Sequence, residues 1–564
     1  MSGILLEITI ILCLAAFFTV LFRILKQPAI LAYLLTGIVV GPVGQIQFAN
    51  TDGLHMMAQF GVTLLLFMLG LELKLSDLRS IGKSAILIGV PQIVFTSLIG
   101  YIAALQFGFS VVVSLYIAAA LSFSSTIIIV KLLSNKRDLQ SLHGKIAIGI
   151  LLIQDFAAVF ILMLLSVFTS AGTHTISTSN IALVFAKATI LFSLIIFLSK
   201  KIFPIVVDKF AKSEETLLLF SLAFALGLAA FVSSPSIGFS VEIGGFLAGL
   251  ALAQSLEHFQ IAARVRALQE FFITIFFVTL GMDMVINGIG TVLPAVIIFT
   301  LFILFGKPLI IMLIMGIFGY RKRTMFLTGI HMGQISEFSL VILFLGNKLS
   351  HVPSDVVSLM TAIGIVSFGA STYMSIYANK LYIFAKKYLS IFEIHAVKVA
   401  QDIRGDSLED ITDHVALIGA NRMGRSILEA LQEEGEKVIV VDFDPDIVHE
   451  LNSKGVVSIF GDIGDLDIQE RVKLHKAKLI ISTVGDLEDN LYLLHGLAHV
   501  KIRPKVIVVA RDFTDAKKLY ERGADYVVVP HFLGGKHLAK MIKDNTLEKL
   551  DSRKAAKDFG RGFV

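Results

Sequence analysis

The sequence predicts an α-helical polytopic membrane domain, followed by a soluble α/β domain with a parallel, doubly wound sheet. Hydrophobic residues make up 55% of the 564 residues and charged residues 16%, a composition typical of a chain that lies mostly in a bilayer. The charges are unevenly placed. Residues 1–387 contain 24 Lys and Arg and 15 Asp and Glu, whereas the remaining 177 residues contain 25 and 29. This second part alternates predicted strands and helices, as parallel sheets do.

Thirteen apolar runs are long enough to span a bilayer, and short polar breaks separate them. The first run has no preceding basic region and no small-residue cleavage site, so we interpret it as a first transmembrane helix and not as a signal peptide. The thirteen runs are 3–25, 28–46, 54–74, 84–106, 110–133, 144–169, 180–203, 214–233, 238–257, 268–287, 291–318, 325–346 and 353–386.

Basic residues predict the orientation of these runs. The loops after odd-numbered runs contain 21 Lys and Arg, and the loops after even-numbered runs contain only Lys348. Because positive loops stay in the cytoplasm, we expect the soluble part in the cytoplasm and the N-terminus outside. The overall net charge of +5 averages two unlike parts and does not indicate a nucleic-acid partner. With Cys13 as its one cysteine, the chain forms no internal disulfide and no thiolate metal site.

Asp155 lies about a dozen residues into the sixth run, directly after Gln154. A charge at this depth is costly and usually faces a cavity or a partner. One interpretation is a carboxylate satisfied by a neighbouring helix. The interpretation that we favour is a site for a monovalent cation that also takes a proton, since competition for the same oxygens is what exchange requires.

Lys307 lies in the middle of the eleventh run. A central ammonium cannot easily reach water by snorkelling, so we expect it to pair with a carboxylate or a helix C-terminus. A structural counter-charge and a moving ion-pair partner for Asp155 are both compatible with the sequence.

Two runs contain clusters that weaken a helix. The fifth contains SFSSTIIIV, with Ser125 and Thr126, and the twelfth contains GIHMGQISEF, with Gln334 and Glu337. Ordinary packing of small residues could explain either cluster alone. Each lies one run away from a mid-membrane charge, however, in mirrored order, as broken helices do in the inverted halves of secondary transporters.

Two further polar residues lie in apolar runs. Glu242, in the ninth run, could line a funnel or cap a helix, and the sequence favours neither. His331 is interpreted as a packed or hydrogen-bonded histidine and not as a pH sensor.

The soluble part begins with a mononucleotide-binding pattern of strand, glycine turn, helix and strand. Gly419 and Gly424 fit the first and third positions of the glycine fingerprint, and Asp442 follows at the place of a ribose ligand. Asn421 replaces the middle glycine, which weakens the case for an intact dinucleotide and permits a mononucleotide such as AMP. No catalytic group is evident above the predicted sheet. The predicted nucleotide contacts are Gly419, Asn421, Arg422, Met423, Gly424, Asp442 and Asp462.

Several motifs carry a resemblance to a known family. PAILAYLLTGIVVGP, GVTLLLFMLGLELKLSDLRSIG, SFSSTIIIVKLL, HGKIAIGILLIQDFAAV, EIGGFLAGLALAQS and FFVTLGMDM resemble the Kef-type branch of the monovalent cation:proton antiporter superfamily. The C-terminal part resembles its RCK (TrkA-N) nucleotide-binding domain, a Rossmann-like fold, and the resemblance covers roughly residues 5–540. The domains expected from it are residues 1–388 for transport, a linker at 389–411, the RCK domain at 412–540 and a tail at 541–564.

The resemblance implies a homodimer whose ion-carrying core moves between inward-open and outward-open states. It implies that Asp155 binds the cation and the proton. The stretch EHFQIAARVRALQEFF, between the ninth and tenth runs, contains Arg264 and Arg266 and no acid pair, which argues against gating by glutathione. The other residues that the resemblance places at the ion site are Gln154, Ser125, Thr126, Lys307, Gln334 and Glu337.

The resulting functional hypothesis is a secondary transporter, not an enzyme, in the cytoplasmic (inner) membrane. We expect K⁺/H⁺ antiport that exports K⁺, is electroneutral because the core has one such carboxylate, and is regulated by AMP or NAD(H) at the RCK domain. Na⁺/H⁺ antiport is the alternative. An RCK-gated potassium channel is disfavoured because no TVGYG-like filter is present. Expected partners are membrane lipid, a second copy of the chain and an ancillary regulatory subunit.

Overall fold

The computed structural model divides the chain into two compact units. The first comprises residues 1–132, 146–311 and 328–381, and the second comprises residues 133–145, 312–327 and 382–564. The structure describes residues 2–46, 51–72, 83–136, 138–170, 178–210, 213–234, 237–255, 257–285, 289–392, 411–442, 445–461, 463–464, 466–498, 500 and 502–544.

Helices occupy all thirteen predicted apolar runs. The helices of this part of the chain are α1 Ser2–Ile24, α2 Ala29–Ile38, α3 Thr51–Glu72, α4 Lys83–Gln106, α5 Val111–Ser122, α6 Thr126–Lys136, α7 Leu142–Ser170, α8 Thr178–Lys201, α9 Phe203–Phe210, α10 Glu214–Val232, α11 Val241–Leu252, α12 His258–Met282, α13 Ile289–Leu301, α14 Lys307–Ile317, α15 Lys322–His331, α16 Glu337–Lys348, α17 Ser354–Ile376 and α18 Ala378–Leu389.

The prediction of a helical polytopic domain is therefore confirmed, but its details differ. Among the described residues, nine helical segments are long and apolar enough to cross a membrane, and the number thirteen stays a prediction. Helix α9 occupies a stretch predicted as a loop. Helix α12 begins ten residues before the tenth apolar run, because a helix can continue beyond its apolar part where polar side chains find partners. Here Arg266 pairs with Glu72 at 3.0 Å.

The fifth and twelfth runs are broken, as the polar clusters predict. The fifth is interrupted between α5 and α6, at Phe123–Ser125. The twelfth is interrupted between α15 and α16, where Ser336 caps the second half by accepting the backbone N–H of Phe338. In the eleventh run, a π-helical turn at Phe302–Gly306 directly precedes Lys307.

Ten helices of the first unit form two sets by their packing. The first helix set contains α2, α3, α10, α11 and α12, which pack on one another, and the second contains α4, α5, α13, α16 and α17. Helix α17 also packs on α2, so the two sets adjoin there.

Glycines allow the helices of the first set to approach closely. A Cβ atom on Gly249 of α11 would stand 1.9 Å from the Phe67 carbonyl oxygen of α3. Nearby, a Cβ on Gly70 would stand 2.2 Å from the Phe246 oxygen. Such backbone contact is a usual source of helix association in membranes, where lipid is as apolar as the side chains.

The C-terminal domain contains a parallel six-stranded sheet, in the order β3-β2-β1-β4-β5-β6, which confirms the predicted doubly wound architecture. The strands are β1 Val415–Ile418, β2 Val438–Asp442, β3 Ser458–Phe460, β4 Leu479–Ser482, β5 Lys505–Val509 and β6 Tyr526–Val528. The helices are α19 Arg422–Glu433, α20 Pro445–Ser453, α21 Leu466–Arg471, α22 Leu487–Leu497, α23 Phe513–Glu521 and α24 Pro530–Lys543.

The predicted domain boundaries remain predictions. Most of the expected linker, 393–410, and most of the tail, 545–564, lie outside the described residues. Helix α24 continues past 540, the expected end of the RCK domain.

The contact between α3 and α11 gives a first prediction. We expect Gly249→Ala to lower the unfolding stability by about 1–3 kcal/mol, as overpacking does, because its methyl group meets a backbone oxygen that cannot move alone. Gly227→Ala, in α10, is the matched control, since nothing lies within 4 Å of its Cβ position. The midpoint of thermal unfolding in detergent measures both, and equal midpoints would contradict the proposed role of Gly249.

Candidate ion-binding site

Asp155 is buried on α7 and contacts the first broken helix. The hydroxyl of Thr126 donates a hydrogen bond to Asp155 Oδ2 at 3.0 Å. Thr126 is the first residue of α6, so it follows the break directly. The interruption of the fifth run therefore brings a hydroxyl to the carboxylate that the sequence singles out.

The neighbouring hydroxyl serves a second carboxylate. Ser125 Oγ donates to Glu337 Oε1 at 2.6 Å and accepts the backbone N–H of Ile128 at 3.2 Å. Glu337 is buried and is the first residue of α16. Two consecutive hydroxyls of one break thus hold two carboxylates, and each carboxylate lies near the positive N-terminal end of a half-helix.

Lys307 joins the two broken helices. Its ammonium is fully buried and donates to the carbonyl oxygen of Phe123 at 2.7 Å and to that of Gln334 at 3.1 Å. Phe123 is the C-cap of α5, and Gln334 lies in the second break. No carboxylate among the described residues lies within 4.0 Å of this ammonium, so this geometry favours a structural counter-charge over an ion-pair partner of Asp155.

Gln154 fixes the first break from the other side. The backbone N–H of Ser124 donates to Gln154 Oε1 at 2.8 Å, and Gln154 Nε2 donates to Gln92 Oε1 at 2.6 Å. Gln92 also donates to the carbonyl oxygen of Ser122 at 3.1 Å. Gln92 was not predicted from the sequence, where its one signal was an amide next to Pro91 in a mostly apolar run.

Gln334 lies between the two breaks. Its Nε2 is 3.5 Å from the carbonyl oxygen of Ser125, and its Oε1 accepts a hydrogen bond from Ser371 at 3.0 Å. Ser371 belongs to α17 and was also missed, because a serine in a transmembrane run is too common to mark a site. All seven residues predicted for the ion site therefore lie in one connected network.

Chemically, this network offers buried oxygen atoms of carboxylates, hydroxyls and backbone carbonyls. Such oxygens suit hard cations. A hydroxyl can also turn, donating to a carboxylate when no cation is present and presenting a lone pair when one is bound. No cluster of three His, Cys, Asp or Glu for a metal ion occurs among the described residues.

The soluble domain has a separate cavity at the carboxyl ends of β1 and β2. Gly419, Asp442, Gly461 and Asp489 are among the residues that line it. Gly419 has φ +84°, which a side chain would strain. The backbone N–H of Ala420 donates to Asp442 Oδ2 at 2.7 Å, so the expected ribose ligand also holds the glycine turn.

The other predicted nucleotide contacts differ in how closely they approach this turn. Asn421 and Met423 are exposed beside the turn, and a Cβ on Gly424 would stand 1.9 Å from the Gly419 carbonyl oxygen. Asp462 lies outside the described residues, as does the side chain of Arg422. The structure therefore brings Gly419, Gly424 and Asp442 together.

Asp489, which lines this cavity, belongs to a cluster of charged residues. Asp489 accepts a hydrogen bond from Arg323 at 3.0 Å, and this guanidinium lies over the ring of Tyr492. Burial, and then the charge of Asp138, raise the pKa of Asp486, which caps α22. All of these residues belong to the second compact unit.

Comparison with known proteins assigns the chain to a family. Residues 9–378 match the family described as sodium/hydrogen exchanger, transmembrane, and residues 415–530 match the TrkA-N domain. The chain belongs to the sodium/hydrogen exchanger family. The resemblance to Kef-type antiporters is thereby confirmed, since relatives with such names are similar over both domains.

The chain is 27% identical over 519 residues to a putative cation/proton antiporter, YbaL, of Escherichia coli, covering 90% of this chain and 91% of the relative. It is 25% identical over 545 residues to a putative K⁺ efflux antiporter, KefB, of Alkalimonas amylolytica, covering 94% and 79%. Among solved structures, the sodium proton antiporter MjNhaP1 of Methanocaldococcus jannaschii shares the fold, with a TM-score of 0.52 and 15% identity over 67% of this chain and 97% of that chain.

The position of Lys307 in this exchanger gives a second prediction. We expect Lys307→Met to lower the unfolding stability by about 1–3 kcal/mol, because two buried carbonyls lose their donor. Hydrogen exchange near both breaks should rise as well. Lys200→Met, at an exposed helix end, is the control and should change neither quantity. If Asp155→Asn restored the stability of Lys307→Met, Lys307 would instead be the ion-pair partner of Asp155.

Proposed function

We propose that this exchanger family member exchanges K⁺ for protons, one for one, with Asp155 as the group that holds either ion. The observation that carries the proposal is the pair of hydroxyls, Ser125 and Thr126, that reach two buried carboxylates from one helix break. A cation and a proton cannot occupy the same carboxylate together, so binding of one requires release of the other.

The bound cation would be held by oxygens of this chain. Asp155 supplies the negative charge, Thr126 turns its lone pairs toward the cation, and carbonyls freed by the break complete the shell. When Asp155 is protonated instead, its carboxyl group is neutral, and the hydrogen bond from Thr126 is compatible with either form. Glu337, held by Ser125 at the start of α16, is proposed as a ligand whose protonation does not change during the cycle.

K⁺ is proposed as the cation because a relative similar over both domains is named a K⁺ efflux antiporter. Na⁺ is the alternative, since another relative that is similar over both domains is named only for cations and protons. We also propose that the transport domain lies in the cytoplasmic membrane and that the soluble domain lies in the cytoplasm. The chain is further proposed to form a homodimer. The distribution of basic loop residues supports the orientation.

We further propose that a nucleotide regulates transport from the cavity at β1 and β2. A glycine turn with positive φ that opens a helix is suited to phosphate, because the helix N-terminus presents free N–H groups. AMP suits the cavity better than NAD(H), because Asn421 stands where close approach to a pyrophosphate needs glycine.

The proposed exchange is tested by pH-gradient dissipation in proteoliposomes with K⁺, Na⁺ and Li⁺ in turn. We expect exchange to be fastest with K⁺. We expect Asp155→Asn to reduce it to the level of protein-free vesicles, because the amide cannot take up a proton and has no negative charge to balance a cation. Asp208→Asn changes an exposed carboxylate of α9 and should leave the rate unchanged.

The same vesicles test the stoichiometry. One net charge moved per cycle would make the driving force change by about 2.3 kcal/mol per 100 mV, whereas one-for-one exchange leaves the rate independent of voltage and produces no current. A transport current would show that Glu337 or another group also exchanges a proton. Exchange that persists in Asp155→Asn would refute the site itself.

Nucleotide binding is tested by calorimetry on the full-length protein with AMP, NAD⁺ and NADH. We expect AMP to bind most tightly, and Asp442→Ala to weaken it at least tenfold, since a bidentate or charge-assisted contact contributes about 1.5–3 kcal/mol. Glu521→Ala, at the exposed end of α23, is the control. If none of the three nucleotides bound, the cavity would not be a nucleotide site.

A further inference from the structure

Glu242 is a buried carboxylate that the proposed exchange does not use. It lies in the first turn of α11 and is 2% exposed, yet neither carboxylate oxygen has a hydrogen-bond partner within the described part of the chain. The helix cap is Ser240, whose hydroxyl accepts the backbone N–H of Ile243. Capping therefore does not explain Glu242.

The charge nearest to Glu242 is Lys348. Its ammonium lies 3.8 Å from Glu242 Oε1, which is an ion pair but longer than a hydrogen bond. The lysine side chain is 46% exposed, whereas the glutamate is buried. The pair can therefore break without stranding the ammonium away from water, and the flexible lysine is the part that can leave.

The two residues belong to different helix sets. Glu242 is on α11, which Gly249 holds against α3 in the first set. Lys348 ends α16 of the second set, and the turn after it is fixed by a hydrogen bond from Asn347 to the carbonyl oxygen of Val352 at 2.9 Å. The ion pair therefore connects the two sets, which also meet where the rings of Phe276 on α12 and Phe344 on α16 lie 5.5 Å apart.

Helix α16 also connects Lys348 to the ion site. Glu337 is its first residue and Lys348 its last, about 16 Å apart at 1.5 Å per residue. Lys348 is, moreover, the one basic residue in the loops after even-numbered apolar runs, which places it at the external end. A movement of the second set that carries Glu337 therefore also carries Lys348 past Glu242.

We propose that Glu242 and Lys348 form an external latch, which closes the outer side of the exchanger when it is paired and must break for the outward-open state. This inference rests on the proposed function, since it concerns the conformations of the transport cycle. A contact shifts a conformational equilibrium only if it differs between the two states, and an ion pair between two helix sets meets this requirement when one set moves against the other. Both residues are positioning residues, because neither touches the ion site in this structure.

The test measures KM for the cation separately on the two faces of oriented vesicles. In Glu242→Gln and Lys348→Gln, we expect the external KM to fall and the internal KM to rise, each by about three- to tenfold, because the outward-open population increases. Lys348→Arg keeps the charge and should behave like the wild type. The exchange of both charges, Glu242→Lys with Lys348→Glu, should restore both KM values.

If Glu242 and Lys348 had a purely structural role, their substitution by Gln would lower the maximal rate or the unfolding midpoint without opposite KM changes on the two faces. That result would overturn the latch. So would a folded Glu242→Lys, Lys348→Glu double variant whose two KM values differ from those of the wild type.

A second measurement separates the latch from the exchange activity. Hydrogen exchange on the full-length protein compares the variants without a transport assay. The backbone amides in the first turn of α11 should exchange faster in Glu242→Gln and Lys348→Gln than in the wild type, whereas Lys348→Arg should leave their exchange unchanged. If no cation were exchanged for protons, the proposed function would fail, yet these rates would still report on the latch. Unchanged rates in both Gln variants would refute it.

Discussion

The ammonium of Lys307 is the group on which the arrangement of the ion site depends. Burying an uncompensated positive charge in a membrane is costly, so it needs acceptors that no intact helix can offer. Interrupting a helix leaves carbonyls without their donors, which is equally costly in lipid. The buried lysine and the helix breaks compensate each other, because the ammonium donates hydrogen bonds to the unpaired carbonyls of Phe123 and Gln334. The two breaks and the lysine therefore form one structure, and removal of any part exposes the other two.

The chemistry of the site follows from this pairing. Because the helix is interrupted at the first break, the hydroxyls of Ser125 and Thr126 reach Glu337 and Asp155. The second break starts α16 at Glu337 in the same way. Two carboxylates thus lie at the ends of half-helices, where the partial positive charge compensates part of their burial without filling the site with a fixed cation. A mobile cation or proton can then supply the remainder.

The sequence predicts much of this arrangement and omits the rest for physical reasons. Asp155 and Lys307 were recognisable because a charge in an apolar run has few structural explanations, and the hydroxyl clusters were recognisable because they recur in mirrored order. The partner of Lys307 was not predictable, because choosing between a carboxylate and a carbonyl requires the position of a distant helix. Gln92 was missed for the same reason, since one amide in a run carries no periodic signal. In the soluble domain, spacing predicted the position of Asp442 but not its hydrogen bond to the turn.

Lys307 and Lys348 show how similar charges can serve opposite purposes. Lys307 is fully buried and donates to two backbone oxygens, whereas Lys348 is half-exposed and faces one carboxylate at 3.8 Å. The first cannot leave its acceptors without becoming an uncompensated charge inside the membrane, so it suits a part of the core that moves as one body. The second loses little when it turns toward water, so it suits a contact that forms and breaks in every cycle. A transporter that changes access around a fixed site needs both, and α16 joins them, with the ion site at one end and the breakable pair at the other.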